Sequence, residues 1–168
     1  MAVKRLSARL ARELRLLVLD VDGVLTDGAL YFGARGEALK AFHVRDGHGV
    51  KLLQAAGMQV AVISGRNSPA VTRRCRDLGI APVLQGVTDK GKALQTLLRR
   101  LRLTGAQVAC IGDDTPDIPL FAGVGYAIAV CDAHPLARAA AHRVTTLAGG
   151  RGAVREVCDW LLDARSRP

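Results

Sequence analysis

Four consecutive apolar residues, Leu16–Leu19, run straight into Asp20-Val21-Asp22-Gly23. A run this short favours a strand over a helix. Apolar residues at every position predict a strand buried on both faces, as in a parallel sheet. Two carboxylates at the exit of such a strand contribute nothing to stability, but they fall where open α/β sheets keep their ligands. Left without a cation, a close pair would repel and one member would have to hold a proton. The stretch therefore predicts a cation site.

The rest of the chain alternates strands and helices. "ALYFGARGEALKAFHV" alternates apolar and polar residues around Gly33 and Gly36, which predicts a hairpin. "DGHGVKLLQAAG" predicts a helix ending near Gly57, "QVAVIS" a second buried strand, and "NSPAVTRRCRDLG" a helix closed by Gly79. After the short strand "APVLQ", "TDKGKALQTLLRRLRL" predicts a helix from Thr88 or Asp89, with Leu94, Leu97, Leu98 and Leu101 on one face. "QVACIG" and "GYAIAV" predict further strands, with a short helix after "DDTPD" between them; "PLARAAAH" and the amphipathic "AVREVCDWLLDARS" predict the last helices. This order implies a three-layer, doubly wound α/β fold with a mostly parallel sheet and a β-hairpin after the first strand. The 168 residues suffice for one domain spanning 1–168 with a full core.

A formal net charge of +9 favours anionic partners. The charge is dispersed, without the basic runs and interleaved aromatics of a stacking platform, so small phosphorylated substrates fit it as well as nucleic acid does. With the site residues below, the expected partner is the small substrate and no nucleic acid. Cys75, Cys110, Cys131 and Cys158 form no CxxC pair and read as reduced core or boundary cysteines of a cytoplasmic protein. No apolar run reaches a membrane span, so no membrane partner is expected. The basic start "MAVKRLSARLARELR" lacks the apolar segment of a secretory signal and reads as a short surface helix or frayed arm.

Each central strand ends in polar residues: Asp20 and Asp22; Ser64, Gly65 and Arg66; Lys90 at a helix start; and Asp113, Asp114 and Asp117. In a parallel sheet these ends converge on one edge. Any one has an ordinary alternative, Ser64-Gly65 as a turn, Lys90 as a solvated first-turn residue, Asp113 as a helix cap. Their appearance in order at successive strand ends outweighs those alternatives. Hard oxygen ligands with few imidazoles suit Mg²⁺, and a lysine and a serine beside it can neutralise and orient phosphoryl oxygens. Of the basic residues near these ends, Arg45, Lys51, Arg66 and Arg74 suit an acidic sugar phosphate better than a neutral one, because arginine grips a carboxylate with two bonds. For Lys51 and Arg74 a solvated helix face is an equal alternative. His134 and His142 lie outside these motifs and read as surface or capping residues.

"DVDGVLTDG", "ISGR", Lys90 within "GVTDKGKAL", and "GDDTPD" resemble the four motifs of the haloacid dehalogenase-like phosphatases. "FHVRDGHG", "GDDTPDIPL", "CDAHPLA" and "AGGRGAVREVCD" are similar to further signatures of one branch, the cap-less phosphatases of 3-deoxy-D-manno-octulosonate 8-phosphate (Kdo 8-phosphate). The resemblance spans about Leu16 to Leu162 and implies lipopolysaccharide precursor synthesis. It implies that Asp20 is the nucleophile, forming an aspartyl-phosphate, and a Mg²⁺ ligand. Asp22 would be the acid and base, its backbone carbonyl touching the metal. Asp113 would complete the ligands, supported by Asp114 and Asp117, with Ser64 and Lys90 holding the phosphoryl group. The substrate-binding set would be Asp22, His43, Val44, Arg45, Asp46, Gly47, Lys51, Arg66, Arg74 and Lys90. His48, Ser64 and Asp89 stand where that branch often has tyrosine, threonine and an amide.

Three other readings compete: a phosphatase of a nine-carbon sugar acid 9-phosphate, a receiver-type signalling domain, and a non-catalytic oligomerisation domain. The hairpin directly after "DVDGVLTDG" and the late Asp113 oppose the receiver; intact Asp20, Asp22, Lys90 and Asp113 oppose the non-catalytic domain. The 44 positions from Asp20 to Ser64 and the 26 from Ser64 to Lys90 leave no room for a cap. Another subunit should then exclude water from the site. The hairpin, marginal alone and with open edges, is the natural partner surface, and the resemblance also implies a homotetramer. "AGGRGAV" is expected to reach towards a crevice, with Arg151 meeting substrate anions, or else to act as a glycine hinge.

Overall fold

The computed structural model describes residues 6–167. The first helix, α1 (Ala8–Glu13), is capped by Ser7, whose Oγ accepts the Leu10 N–H at 3.1 Å. It is a short surface helix, with Arg9, Arg12 and Glu13 exposed and with Ala11 and the following Leu14 fully buried where α1 lies against the last helix, α7 (Ala153–Ser166). The basic residues before Leu6 in the expected arm lie outside the described residues.

Strand β1 (Leu16–Leu19) is buried at every position, as the unbroken apolar run requires. It is followed by β2 (Tyr31–Gly33) and β3 (Gly36–Leu39), an antiparallel ribbon turning at Ala34-Arg35. Then come α2 (Val44–Ala55), β4 (Gln59–Ile63), α3 (Pro69–Leu78) and β5 (Val83–Leu84). Proline at the start of α3 and Gly79 in the left-handed conformation behind it are the local signals that bound that helix. The second half runs α4 (Lys90–Leu101), β6 (Val108–Gly112), α5 (Ile118–Ala122), β7 (Tyr126–Ala129), α6 (Pro135–Ala140), β8 (Arg143–Val144) and α7. Strand β8 was not expected from "HRVTT"; two residues are too short to carry a period.

The six-stranded sheet has the order β5-β4-β1-β6-β7-β8 and every pairing in it is parallel. The chain first winds from β1 outward to β4 and β5, then crosses to β6, so β1 sits at the switch point, flanked by β4 and β6. Helices α1, α2, α3 and α7 pack with one another, as do α4, α5 and α6. Right-handed crossovers place those two groups on opposite faces of the sheet. Cys75, Cys110 and Cys158 are buried among the core residues. No described helix is long and apolar enough to cross a membrane.

The ribbon stands off this core. Tyr31, Phe32 and Leu39 are exposed, Phe32 to 66%, so the alternation in its sequence does not mark one face buried within the chain. Helix α2 starts two residues earlier than "DGHG" suggests, and its buried face includes Asp46, Gly47 and Gly49 rather than an apolar stripe alone.

Candidate active site

The carboxyl ends of β1, β4 and β6 surround a crevice of about 320 Å³ lined by Asp20, Asp22, Ser64, Arg66, Lys90 and Asp113, with Asp114 and Asp117 at its side. A wider depression of about 730 Å³ lies along α3 between Asn67 and Gln85, but Asp77 is the one carboxylate lining it. Chemistry, not size, singles out the crevice.

Asp20 follows directly from β1 and its N–H bonds the Ile111 carbonyl at 3.1 Å, which ties it to the neighbouring strand. Its Oδ1 lies 2.9 Å from Lys90 Nζ, and the same ammonium bonds Asp117 Oδ1 at 2.6 Å. Lys90 is therefore no solvated first-turn lysine: it is buried at the first position of α4, between two carboxylates. Asp117 is fully buried, and its other oxygen accepts the N–H groups of Asp113 at 2.9 Å and Asp114 at 3.3 Å. That carboxylate thus fixes both Lys90 and the loop carrying Asp113. Asp114 is exposed and caps the following turn, accepting the Thr115 N–H at 2.6 Å. Ser64 is buried and its Oγ accepts the Arg66 N–H at 3.4 Å.

Ligand oxygens of Asp20, Asp113 and Asp117 lie within 4.8 Å of one another. Burial first, then the charge of Asp117, pushes Asp20 up to about 6 in spite of Lys90. Burial, then the charges of Asp20 and Asp117, pushes Asp113 up to about 8. Burial disfavours the Lys90 ammonium, but Asp20 and Asp117 outweigh it and hold its pKa above the ordinary value. One ammonium therefore leaves three carboxylates short of positive charge. Crowded hard oxygens of this kind fit Mg²⁺, with Asp113 and the second oxygen of Asp20 as the donors, since Asp117 spends both its oxygens on Lys90 and two amides. The carboxylate of Asp22 is not in this group, so any metal contact it makes must come from its backbone. Gly23 is required beside it: its φ is +86°, and a Cβ there would collide with the Asp113 carboxylate.

Asp22 instead turns to the hairpin, paired with Lys40, while Arg66 Nε stands 3.8 Å from its Oδ2. Lys40 and Glu37 are the site residues that sequence reasoning missed. The only signal was a lysine inside the apolar stretch "ALKAF", where a solvated charge is out of place.

The structure does not bring the whole expected substrate set to this crevice. Asp22, Arg66 and Lys90 line it, whereas His43, Val44, Arg45, Asp46, Gly47, Lys51 and Arg74 are not among its lining residues. Arg45 opens on a separate depression with Arg155 and Trp160. Buried Asp46 accepts the Arg155 N–H at 2.8 Å, joining α2 to the first turn of α7. Burial raises its pKa, with that bond opposing. Gly47 leaves room for the Arg74 guanidinium, which lies 5.9 Å over the Phe42 ring. Lys51 lies near Gly79, at the end of α3.

"AGGRGAV" is neither a free arm nor in the crevice. Gly149 and Gly150 pack on the backbone of residues 23–27, too closely for a Cβ, and the Gly150 N–H bonds the Val24 carbonyl at 2.9 Å. Arg151 pairs with Asp27 at 3.0 Å, bracing the loop that carries Asp22. His134 caps α6, accepting the Leu136 N–H at 3.2 Å, and His142 stacks on Tyr126 with ring centroids 5.8 Å apart.

Residues 79–156 match the family described as haloacid dehalogenase-like hydrolase. The chain is 50% identical over 157 residues to the 3-deoxy-D-manno-octulosonate 8-phosphate phosphatase KdsC of Escherichia coli (strain K12), spanning 94% of this chain and 84% of that protein. It is similar to the cobalt-bound phosphatase of the same kind from Haemophilus influenzae (TM-score 0.90, 46% identity, 93% of this chain and 91% of that one). It is also similar to the Moraxella catarrhalis phosphatase in complex with magnesium, phosphate and KDO (TM-score 0.91, 40% identity, 94% and 91%).

Proposed function

Because the chain belongs to the 3-deoxy-D-manno-octulosonate 8-phosphate phosphatase family of haloacid dehalogenase-like hydrolases, we propose that it hydrolyses this sugar-acid phosphate to the free sugar acid and inorganic phosphate, within lipopolysaccharide precursor synthesis. The observation that carries the reading is a division of labour between neighbours. Asp20 faces Lys90 and the carboxylate cluster, while Asp22, two residues on, faces Lys40 and Arg66.

Asp20 attacks phosphorus, forming an aspartyl-phosphate as the bond to the sugar oxygen breaks. Asp22 gives that oxygen its proton, then takes one from the water that attacks the phosphoryl group, freeing phosphate and Asp20. Ser64 and Lys90 hold the phosphoryl oxygens, and Asp117 keeps Lys90 aimed at them. Asp20, Asp113 and the backbone carbonyl of Asp22 would hold Mg²⁺, which when bound supplies positive charge to the phosphoryl oxygens. Arg66 meets the acidic end of the sugar. Phosphate-release assays with Mg²⁺ test the reading: kcat/KM for Kdo 8-phosphate should exceed that for glucose 6-phosphate by about a hundredfold, since the neutral sugar offers no carboxylate to the guanidinium donors that Glu37 leaves over. Equal rates would overturn it, and a higher rate on a nine-carbon sugar acid 9-phosphate would reassign the substrate.

The reading extends to a cytoplasmic homotetramer of one-domain subunits, with neither nucleic acid nor membrane as partner. Four free thiols support a reducing compartment. Exposed Leu30, Tyr31, Phe32 and Leu39 on and beside the ribbon, and Val44 at the start of α2, support association through these parts. A neighbour would wall the crevice and bring exposed basic residues of α2, Arg45 and Lys51, to the substrate. Light scattering is expected to give four times the subunit mass, and a fully active monomer would refute the assembly.

A further inference from the structure

The carboxylate of Asp22 is held in a closed ring of charges built by the hairpin. Lys40, just past β3, is almost wholly buried, its side chain 1% exposed, and its Nζ pairs with Asp22 Oδ1 and lies 3.2 Å from Glu37 Oε2. Glu37 Oε2 also receives Arg66 Nη2 at 3.1 Å, and its Oε1 accepts the Ser68 hydroxyl at 2.8 Å. Arg66 closes the ring through Nε, 3.8 Å from Asp22 Oδ2. With Asp22 ionised, as it must be to take the proton of the attacking water, two cations alternate with two anions and the ring is neutral. Lys40 holds Oδ1, while Oδ2 stands beyond hydrogen-bond reach of Arg66 Nε at 3.8 Å and is the oxygen left to carry the proton.

We infer that Lys40 and Glu37 are positioning residues of the active site: Lys40 fixes the aim of the Asp22 carboxyl at the leaving oxygen, and Glu37 holds Lys40 and Arg66 in place. The inference rests on the reading of Asp22 as the acid of a sugar phosphatase. A buried ammonium cannot part from its carboxylates without a large desolvation cost, so Lys40 has little freedom to leave. A free aspartate on a strand-end loop rotates about two side-chain bonds, and an acid misplaced by an ångström loses much of its effect. The ring removes that rotation. It also joins the ribbon to the chemistry of its own chain, in addition to any part the ribbon takes in assembly.

A leaving-group comparison separates this from simple support of the fold. Kdo 8-phosphate leaves as an alkoxide that needs a proton; p-nitrophenyl phosphate leaves as a stable phenolate. Asp22→Asn should lower kcat far more on the first than on the second. Lys40→Gln, read on protein with the wild-type molar mass and melting temperature, should repeat that pattern, with a loss about tenfold greater on the sugar phosphate and a smaller change in KM. Lys40→Arg, which restores the charge, should recover most of it. Should Lys40→Gln fail to fold, Glu37→Gln weakens the same anchor and reads the same ratio. Equal losses on both substrates, or none, in the variant that folds would overturn the inference. If wild-type protein does not hydrolyse Kdo 8-phosphate, or Asp22→Asn gives no such pattern, the reading of the site itself fails.

Discussion

Asp20→Asn is expected to abolish turnover, lowering kcat by at least about 10⁴-fold, while the fold survives. The amide has no charge with which to attack phosphorus or hold a cation. Its shape is conserved, so Lys90 stays in place through Asp117 at 2.6 Å. Stability should hardly fall. Burial and the neighbouring Asp117 already disfavour the Asp20 carboxylate, and removing its charge also relieves Asp113, whose pKa it raises. Acid-quenched wild-type enzyme mixed with labelled substrate should carry phosphorus on Asp20, and the variant none. Substantial turnover by purified Asp20→Asn protein would end the assignment of the nucleophile.

Withdrawing the divalent cation should be as damaging, and its effect on stability should depend on pH in a set direction. In the metal-free protein Asp113 keeps its proton up to about 8 and Asp20 up to about 6, whereas an unfolded chain releases both near 3.8. Across that window the native state binds more protons than the unfolded state. The stability these groups contribute is full below about pH 4 and is lost as pH rises towards 8. A cation bound at the cluster replaces those protons, so it should matter most where they are absent. Saturating Mg²⁺ is expected to raise the melting temperature by roughly 5–10 °C at pH 8 and by clearly less at pH 6. Chelation should reduce phosphate release to background at either pH. A melting shift that is flat with pH, or larger at pH 6, would contradict the cluster as the metal site.

The parts legible in the sequence are those whose signal is local. An unbroken apolar run such as Leu16–Leu19 can be satisfied only inside a covered sheet, and the proline and glycine bounding α3 act within a few residues. Alternation of strands and helices, with the crossover rule, then brings Asp20, Ser64, Lys90 and Asp113 to one edge without knowledge of any contact. The chemistry follows from the residue types that meet there.

The rest depends on contacts between distant parts of the chain. Asp46 meets the Arg155 N–H across 109 positions and Arg151 meets Asp27 across 124, pairings that no spacing encodes. Helix α2 hides the first because it packs through glycines: a Cβ on Gly49 would come within 3.1 Å of the Arg155 Cα, so small size, not apolar period, forms its buried face. The hairpin was readable as two strands, but not the fold-back that buries Lys40 against Asp22 and sets Glu37 on Arg66. Sequence alone determined the sheet, its catalytic edge and the kind of ion that edge attracts, because burial and chain connectivity impose them. Which carboxylate faces the lysine, which faces the hairpin and which basic residues stay out of the crevice was decided only by tertiary packing, since each depends on where a side chain finds its counter-charge.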